Sequence, residues 1–351
     1  MTIDFETEIQ AHLAEIQKLR KPTGVFTASA PDVSTGYDKA WLRDNYFTVL
    51  GFLETGDFET VRETAKALLA VFIKHRDKIN WAIENKPYET WQYIHARFHP
   101  ETFEEYWEEW GNRQNDAVGE ILNLIVDLEL LGVAVAETEE EREMVVKIID
   151  YLIRIEYWHD EDNGIWEEGM EVHASSIASV NAAMKKARQI PWLNIPEDVV
   201  KRGDAALRAL LPRESKEKFA DLALLSIIYP FHEATEEETT EILRNVEYHL
   251  TRDKGVIRYK NDRYYNKNLV DGWSEEAEWC MGLSWLSIIY AERGDREKAL
   301  HYLERARATI TPEGKIPELY YSHTEKPNDN TPLGWAESLY VVALKKVSGL
   351  R

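Results

Sequence analysis

Residues 117–187 decide the fold. They read Ala117–Leu131 (AVGEILNLIVDLELL), then Met144–Tyr157 (MVVKIIDYLIRIEY), then the polar segment 158–173 (WHDEDNGIWEEGMEVH), then Ser175–Ala187 (SSIASVNAAMKKA). The three apolar-periodic stretches carry the 3.6-residue spacing of helices. The first two are joined by a short link. The second and third are separated by a loop rich in Trp, Asp and Glu. Working outward, helical periodicity recurs at Phe5 to Lys18, Trp41 to Leu53 and Val61 to Ile79 on the N-terminal side. On the C-terminal side it recurs at Val199 to Leu211, Phe219 to Tyr229, Thr235 to Leu250, Glu276 to Ala291, Arg296 to Ala308 and Leu333 to Val347. Strand alternation is nearly absent.

About 12 helices result, and their connections alternate in length. Long segments at 21–37, 80–112, 158–173, 253–274 and 309–331 lead from an odd helix to the next even one. The return links are short, and 212–218 is the exception to the alternation. Six helical hairpins with their long loops on one side describe two concentric rings, an all-α (α/α)6 barrel. With no Ser/Gly linker or low-complexity run to divide it, the chain reads as one domain, 1–351. A helical solenoid is the alternative architecture, but no fixed-period repeat supports it. Binding groups are expected at the mouth where the long loops gather.

Composition narrows the ligand. Asp and Glu total 63 against 42 Lys and Arg, a net charge of −21. That field repels nucleic acid and anionic lipid, so neither a nucleic-acid partner nor a membrane is expected. The single cysteine, Cys280, reads as a small buried apolar residue. Together with the lack of a signal peptide or long apolar span, it points to a cytoplasmic protein. The ten His never form a His-Glu-x-x-His or paired His/Cys pattern, so no metal is expected. Without a Gly-x-Gly-x-x-Gly or Walker-type loop, no nucleotide cofactor is expected either. Twelve Trp and 17 Tyr beside many carboxylates suit a neutral ligand that stacks on rings and hydrogen-bonds to acids, which describes a sugar.

The chemistry-bearing residues cluster in the long segments. Trp41 precedes Arg43-Asp44, which is either a structural ion pair or a fork presented to a ligand. Trp110-Gly111 leads to Gln114 and Asp116. Trp166 precedes Glu167 and Glu168; a carboxyl against an indole loses hydration and suits a general acid, and an adjacent Glu disfavours ionisation of both. A solvated acidic turn is the other reading of that segment. His159 and His173 flank it, either touching ligand or bonding within loops. Glu318 lies between Pro317 and Leu319-Tyr320-Tyr321, an apolar setting costly for an idle carboxylate. Two carboxylates on separate loops at one mouth are the equipment of glycoside hydrolysis.

At these residues the sequence resembles the glucoamylase-like glycoside hydrolases, family 15, and is especially similar to the glucoamylase-like region of the phosphorylase kinase regulatory subunits. The likeness is carried by Trp41-Leu42-Arg43-Asp44, Trp110 to Ala117, Gly164 to Gly169 with His173 to Ser176, Gly255 to Tyr259 with Trp273 to Trp279 beyond, and Lys315 to Tyr320 with Thr331 to Ala336. It runs in family order from about 37 to 343. The resemblance implies the (α/α)6 fold, Glu167 as general acid and Glu318 as general base. It also implies substrate contacts from Trp41, Arg43, Asp44, Trp110, Gln114, Asp116, Trp166, Glu168, Arg258 and Trp335. The expected function is inverting, exo-acting release of β-glucose from soluble α-linked gluco-oligosaccharides. Alternatives within reach of the same motifs are a non-hydrolytic glucan-binding regulatory protein and a trehalase.

Overall fold

The computed structural model describes residues 4–30, 33, 35–108, 110–264 and 276–350; Trp273, part of the resemblance, lies outside them. Six helices are buried along nearly their whole length: α2 (Leu42–Thr55), α5 (Asn115–Leu130), α7 (Ala174–Ala187), α9 (Leu224–Ile228), α11 (Met281–Glu292) and α13 (Gly334–Gly349). Each packs on the next, and α13 returns to pack on α2, so they close a ring. Because apolar neighbours surround them, these helices lack the one-sided stripe of a surface helix.

The outer layer does show that stripe. It comprises α1 (Phe5–Gln17), α3 (Phe58–Lys74), α6 (Glu139–Ile155), α8 (Glu197–Leu210), α10 (Glu236–His249) and α12 (Arg296–Arg307). In α6, Met144, Val145, Ile148, Ile149, Leu152 and Ile155 face inward while Glu139, Glu140 and Glu143 are exposed. The short α4 (Arg76–Asn85) extends the outer layer beyond α3. Among the described residues no helix is long and apolar enough to cross a membrane. The (α/α)6 barrel expected from loop lengths is the fold observed.

How the helices begin separates the two rings. Five outer helices start on a side chain that accepts a backbone N–H: Asp4, Asp57, Thr138, Thr235 and Asp295. None of the six inner helices has an N-cap side-chain bond. Their first N–H groups are satisfied largely by distant loops: Leu42 N to Ala96 O (2.9 Å), Asn115 N to Asp162 Oδ2 (2.8 Å), Ala174 N to Glu214 O (2.7 Å) and Gly334 N to Ala28 O (2.9 Å). Otherwise orphaned donors thus fasten the long loops to the mouth.

The boundaries differ from the sequence reading in three places. Val61 to Ile79 divides at His75 into α3 and α4. The stretch Phe219 to Tyr229 is helical only at Leu224–Ile228, because Asp221 Oδ1 accepts from Ala223 N and holds the preceding turn outside the helix, and Pro230 follows. The link expected to be short at 212–218 therefore extends to 223. The helix expected from Glu276 starts at Met281, since Glu278–Trp279 (β3) is paired antiparallel with Leu319–Tyr320 (β4). A second such pair joins Ala40–Trp41 (β1) to Arg97–Phe98 (β2). Both ladders tie candidate site residues to neighbouring loops.

Candidate active site

A pocket of about 810 Å³, counted out to its open mouth, lies where the inner helices begin. Ten of the twelve candidate residues line it: Trp41, Arg43, Asp44, Trp110, Trp166, Glu167, Glu168, Arg258, Glu318 and Trp335. Aromatic rings form its wall. Trp166 stacks on Trp335 (centroids 6.3 Å, planes 18° apart) and leans on Trp279 (5.6 Å), while Trp41 meets Trp110 edge-on (6.2 Å). Gln114 and Asp116 are not in the lining. Gln114 Oε1 accepts from Arg43 Nη1 (2.9 Å), and Asp116 is buried behind Arg43, so both reach the pocket through that side chain.

Arg43 and Asp44 occupy the first turn of α2, where the positive end of the helix dipole faces the pocket. Arg43 Nη2 donates to Glu167 Oε1 (2.7 Å) and, at longer range, to Asp44 Oδ2 (3.4 Å). Burial disfavours its charge, but Glu167, Asp44 and Asp116 more than compensate and hold the guanidinium protonated. Burial likewise pushes Asp44 up to about 6 despite Arg43. One turn behind Asp116, burial lifts Glu120 well above the usual carboxylate range.

Glu167 sits in left-handed backbone (φ +62°), a conformation costly for a side chain with a Cβ and often found at functional sites. Two glycines permit the approach. A Cβ at Gly111 would stand 2.7 Å from the carbonyl of Glu167, which explains why Trp110 is followed by glycine. Gly164 (φ +60°) lies against the His173 ring, where a Cβ would come within 2.8 Å.

The adjacent Glu168 behaves differently from expectation. The two acids point to separate partners. Glu168 accepts from Arg258 Nη2 (2.8 Å), Tyr259 OH (2.7 and 2.6 Å) and Lys218 Nζ (3.1 Å). Burial raises its pKa, but Arg258, Lys218 and Tyr259 outweigh that and hold it below the usual range. Arg258 is in turn clamped by Asp262 (2.7 Å twice).

Glu318 enters from the opposite loop. Oε1 accepts from Tyr37 OH (2.9 Å); Oε2 accepts from Asn328 Nδ2 and Asn330 Nδ2 (2.6 Å each). Full burial raises its pKa to about 7, partly opposed by those three donors. Its loop is pinned by Glu337 on α13, whose Oε1 accepts from Ile316 N (2.7 Å) and whose Oε2 meets His12 of α1.

His159 is exposed and pairs with Glu156 (3.5 Å). His173 is buried, with Nδ1 3.3 Å from Glu214. Neither lines the pocket. Burial opposes charge on His173, but Glu214 and Asp162 raise its pKa from 6.5 to about 9. A raised histidine contributes stability below its unfolded pKa and loses it as pH rises through the folded value. Burial raises the neighbouring Asp162, Asp116 and Asp221 to about 6 to 7 and lifts Glu120 well above the usual carboxylate range, so the part of a fall between pH 7 and 9 that belongs to His173 is the part its replacement removes. We expect thermal stability to fall across that window in the native chain and distinctly less in His173→Gln, measured by pH-resolved calorimetry.

Tyr37 and Tyr264 line the pocket without having been singled out, Trp279 lines it after entering only as the end of a resembling stretch, and Lys218, Tyr259 and Asp262 organise Glu168. Lys218 was hidden by the helix expected over 219–229. Asn328 and Asn330, twelve residues or fewer after Glu318, carried only the signal of a polar loop. Cys280 is buried and free, as its composition suggested.

A closed helical ring with a ring-lined, carboxylate-bearing pocket at the inner N-termini defines the class of glycosidase-type (α/α)6 barrels. Within that class the chain belongs to the glycosyl hydrolases family 15, whose model matches residues 8–198. Among curated relatives it is 27% identical over 285 residues to a probable phosphorylase b kinase regulatory subunit alpha of Caenorhabditis elegans (67% of this chain, 23% of that protein). It is 23% identical over 401 residues to the skeletal muscle isoform of Oryctolagus cuniculus (93% and 31%). The chain thus spans less than a third of these relatives' length. Among solved structures it superposes on a glycosidase in complex with glucose (TM-score 0.85, 20% identity, 99% of this chain and 98% of that one). It also superposes on a bacterial glucoamylase complexed with acarbose (TM-score 0.75, 16% identity, 99% and 56%). These likenesses show the fold.

Proposed function

We propose that this chain, as one catalytic domain, is an exo-acting hydrolase that releases β-glucose from the non-reducing ends of soluble α-linked gluco-oligosaccharides. The observation that carries this reading is that Glu167 and Glu318 reach one aromatic-walled pocket from separate loops, in unlike environments. Glucose and acarbose in the related structures agree with a gluco-oligosaccharide ligand. In the proposed reaction Glu167 protonates the leaving oxygen and Glu318 removes a proton from the attacking water. Glu168 is unsuited to the acid role, because two cations and a phenol hold it ionised. Arg43 Nη2 is shared between Asp44 and Glu167; a sugar hydroxyl that engages the fork draws it from Glu167 and leaves that carboxyl to the glycosidic oxygen.

Arg43 and Asp44 grip the innermost sugar, Arg43 donating and Asp44 accepting. Asp44→Asn keeps the shape and removes the charge, so we expect kcat/KM to fall by about 2 to 4 kcal/mol equivalent with little change in melting temperature. Wild-type kinetics in this variant would remove Asp44 from the site.

A second reading, a non-hydrolytic glucan-binding regulatory protein, is favoured by the kinase-subunit relatives. Incubation with maltose, maltotriose, isomaltose and trehalose separates the possibilities. Glucose released from the first two or three supports the hydrolase, and cleavage of trehalose alone makes it a trehalase. Binding without release from any of them supports the regulatory reading.

A further inference from the structure

Away from the pocket, three large aromatic side chains stand in solvent on one shoulder of the barrel. Trp91 is 69% exposed, Tyr88 73% and Trp81 38%. Trp81 and Trp91 stack with centroids 6.4 Å apart and planes at 26°. The pair is built on firm backbone: Trp81 belongs to α4, and Trp91 to a single 3₁₀ turn, Thr90–Gln92. A capping box closes that turn, with Gln92 Oε1 accepting from both Tyr88 N and Glu89 N (3.0 Å each). Such a shape is set before any ligand arrives, which lowers the entropy lost on binding.

The shoulder is at the mouth end. The outer helices finish where the inner ones begin, α4 follows the finish of α3, and Lys86 pairs with Glu156 just past α6. The turn also touches the pocket's own loop, since Asn112 Nδ2 donates to Thr90 O (3.5 Å) two residues from Trp110. Glu84 and Glu89 are exposed in the same segment, and the Glu89 carboxylate also caps the turn that carries Trp91. An apolar face bordered by acceptors matches a neutral pyranose, which offers C–H faces to an indole and hydroxyls to carboxylates. It suits a second copy of a chain of charge −21 poorly, and an anionic lipid surface no better.

We propose that Trp81, Tyr88 and Trp91 form a second glucan-binding surface, outside the pocket, that takes the flank of an α-linked glucose polymer and keeps its chain ends near the mouth. The choice of glucan as ligand rests on the proposed function. The surface, however, operates whether or not the pocket hydrolyses.

Native electrophoresis through gels containing glycogen, with retardation converted to a dissociation constant, tests it. The wild type should be retarded and Trp91→Ala should bind about tenfold more weakly, the equivalent of losing one ring contact of ~1.4 kcal/mol. Maltose turnover and melting temperature should be unchanged. The loss should persist on an Arg43→Ala background, where the pocket is crippled. Equal retardation of wild type and Trp91→Ala, or none for the wild type, overturns the inference. So does a wild-type dimer that becomes monomeric in Trp91→Ala without a change in retardation, which would make the shoulder an interface between copies. If no α-glucoside is hydrolysed and Trp91→Ala still loses retardation, the hydrolase reading fails and this one stands.

Discussion

Glu167→Gln should reduce maltose turnover by about 10³-fold or more, the scale of removing a general acid, while largely sparing α-glucosyl fluoride. Fluoride departs without a proton, so a deficit confined to maltose identifies the missing function as protonation. The neighbouring Glu168 provides an internal control. It is held by Arg258, Lys218 and Tyr259, so Glu168→Gln should act mainly through KM and affect both substrates alike. Glu167→Gln keeps an acceptor for Arg43 and the side chain's volume, so the melting temperature should be unchanged. If the two variants exchange behaviours, the acid is Glu168 and the roles assigned here are reversed.

The second large effect is at Glu318. Removing the carboxylate in Glu318→Ala should cost about 10³- to 10⁴-fold in kcat, since water loses its base. Azide should restore turnover and yield β-glucosyl azide, because the anion occupies the face from which water attacks. The pH profile carries a further expectation with a definite sign. A base works when deprotonated, and burial raises Glu318 to about 7. The acidic limb of kcat/KM should therefore lie near pH 7, with activity lost as pH falls below it. A limb two units lower would mean that the hydrogen bonds from Tyr37, Asn328 and Asn330 outweigh burial at Glu318. Rescue that gives the α-azide would place the carboxylate on the other face of the sugar.

Much of this architecture was legible because the decisive signals were local. The alternation of long and short links revealed the ring, and the Trp-Arg-carboxylate clusters in the long links revealed the pocket. The failures have physical causes. Phe219 to Tyr229 is apolar enough to read as a full helix, yet Asp221 holds its first turn open, and so Lys218 was assigned to a short link rather than to Glu168. Gln114 and Asp116 follow the pocket residue Trp110 within a few positions, but the start of α5 places them against Arg43 and outside the lining. The state of Glu318 depends on Tyr37, Asn328 and Asn330, which converge only in three dimensions. Adjacent Glu167 and Glu168 looked mutually repulsive in one dimension; the left-handed backbone at 167 directs them to different cations.

The central claim is that the pocket hydrolyses α-glucosides with inversion. Proton NMR of pure protein mixed with maltotriose, recorded before mutarotation equilibrates the anomers, tests it most directly. The β-anomer of glucose appearing first, at a rate abolished by Glu167→Gln, is the result predicted. The α-anomer appearing first would mean retention and would remove the base role from Glu318, and maltotriose bound without any glucose released would mean that the pocket recognises glucan and does not cut it.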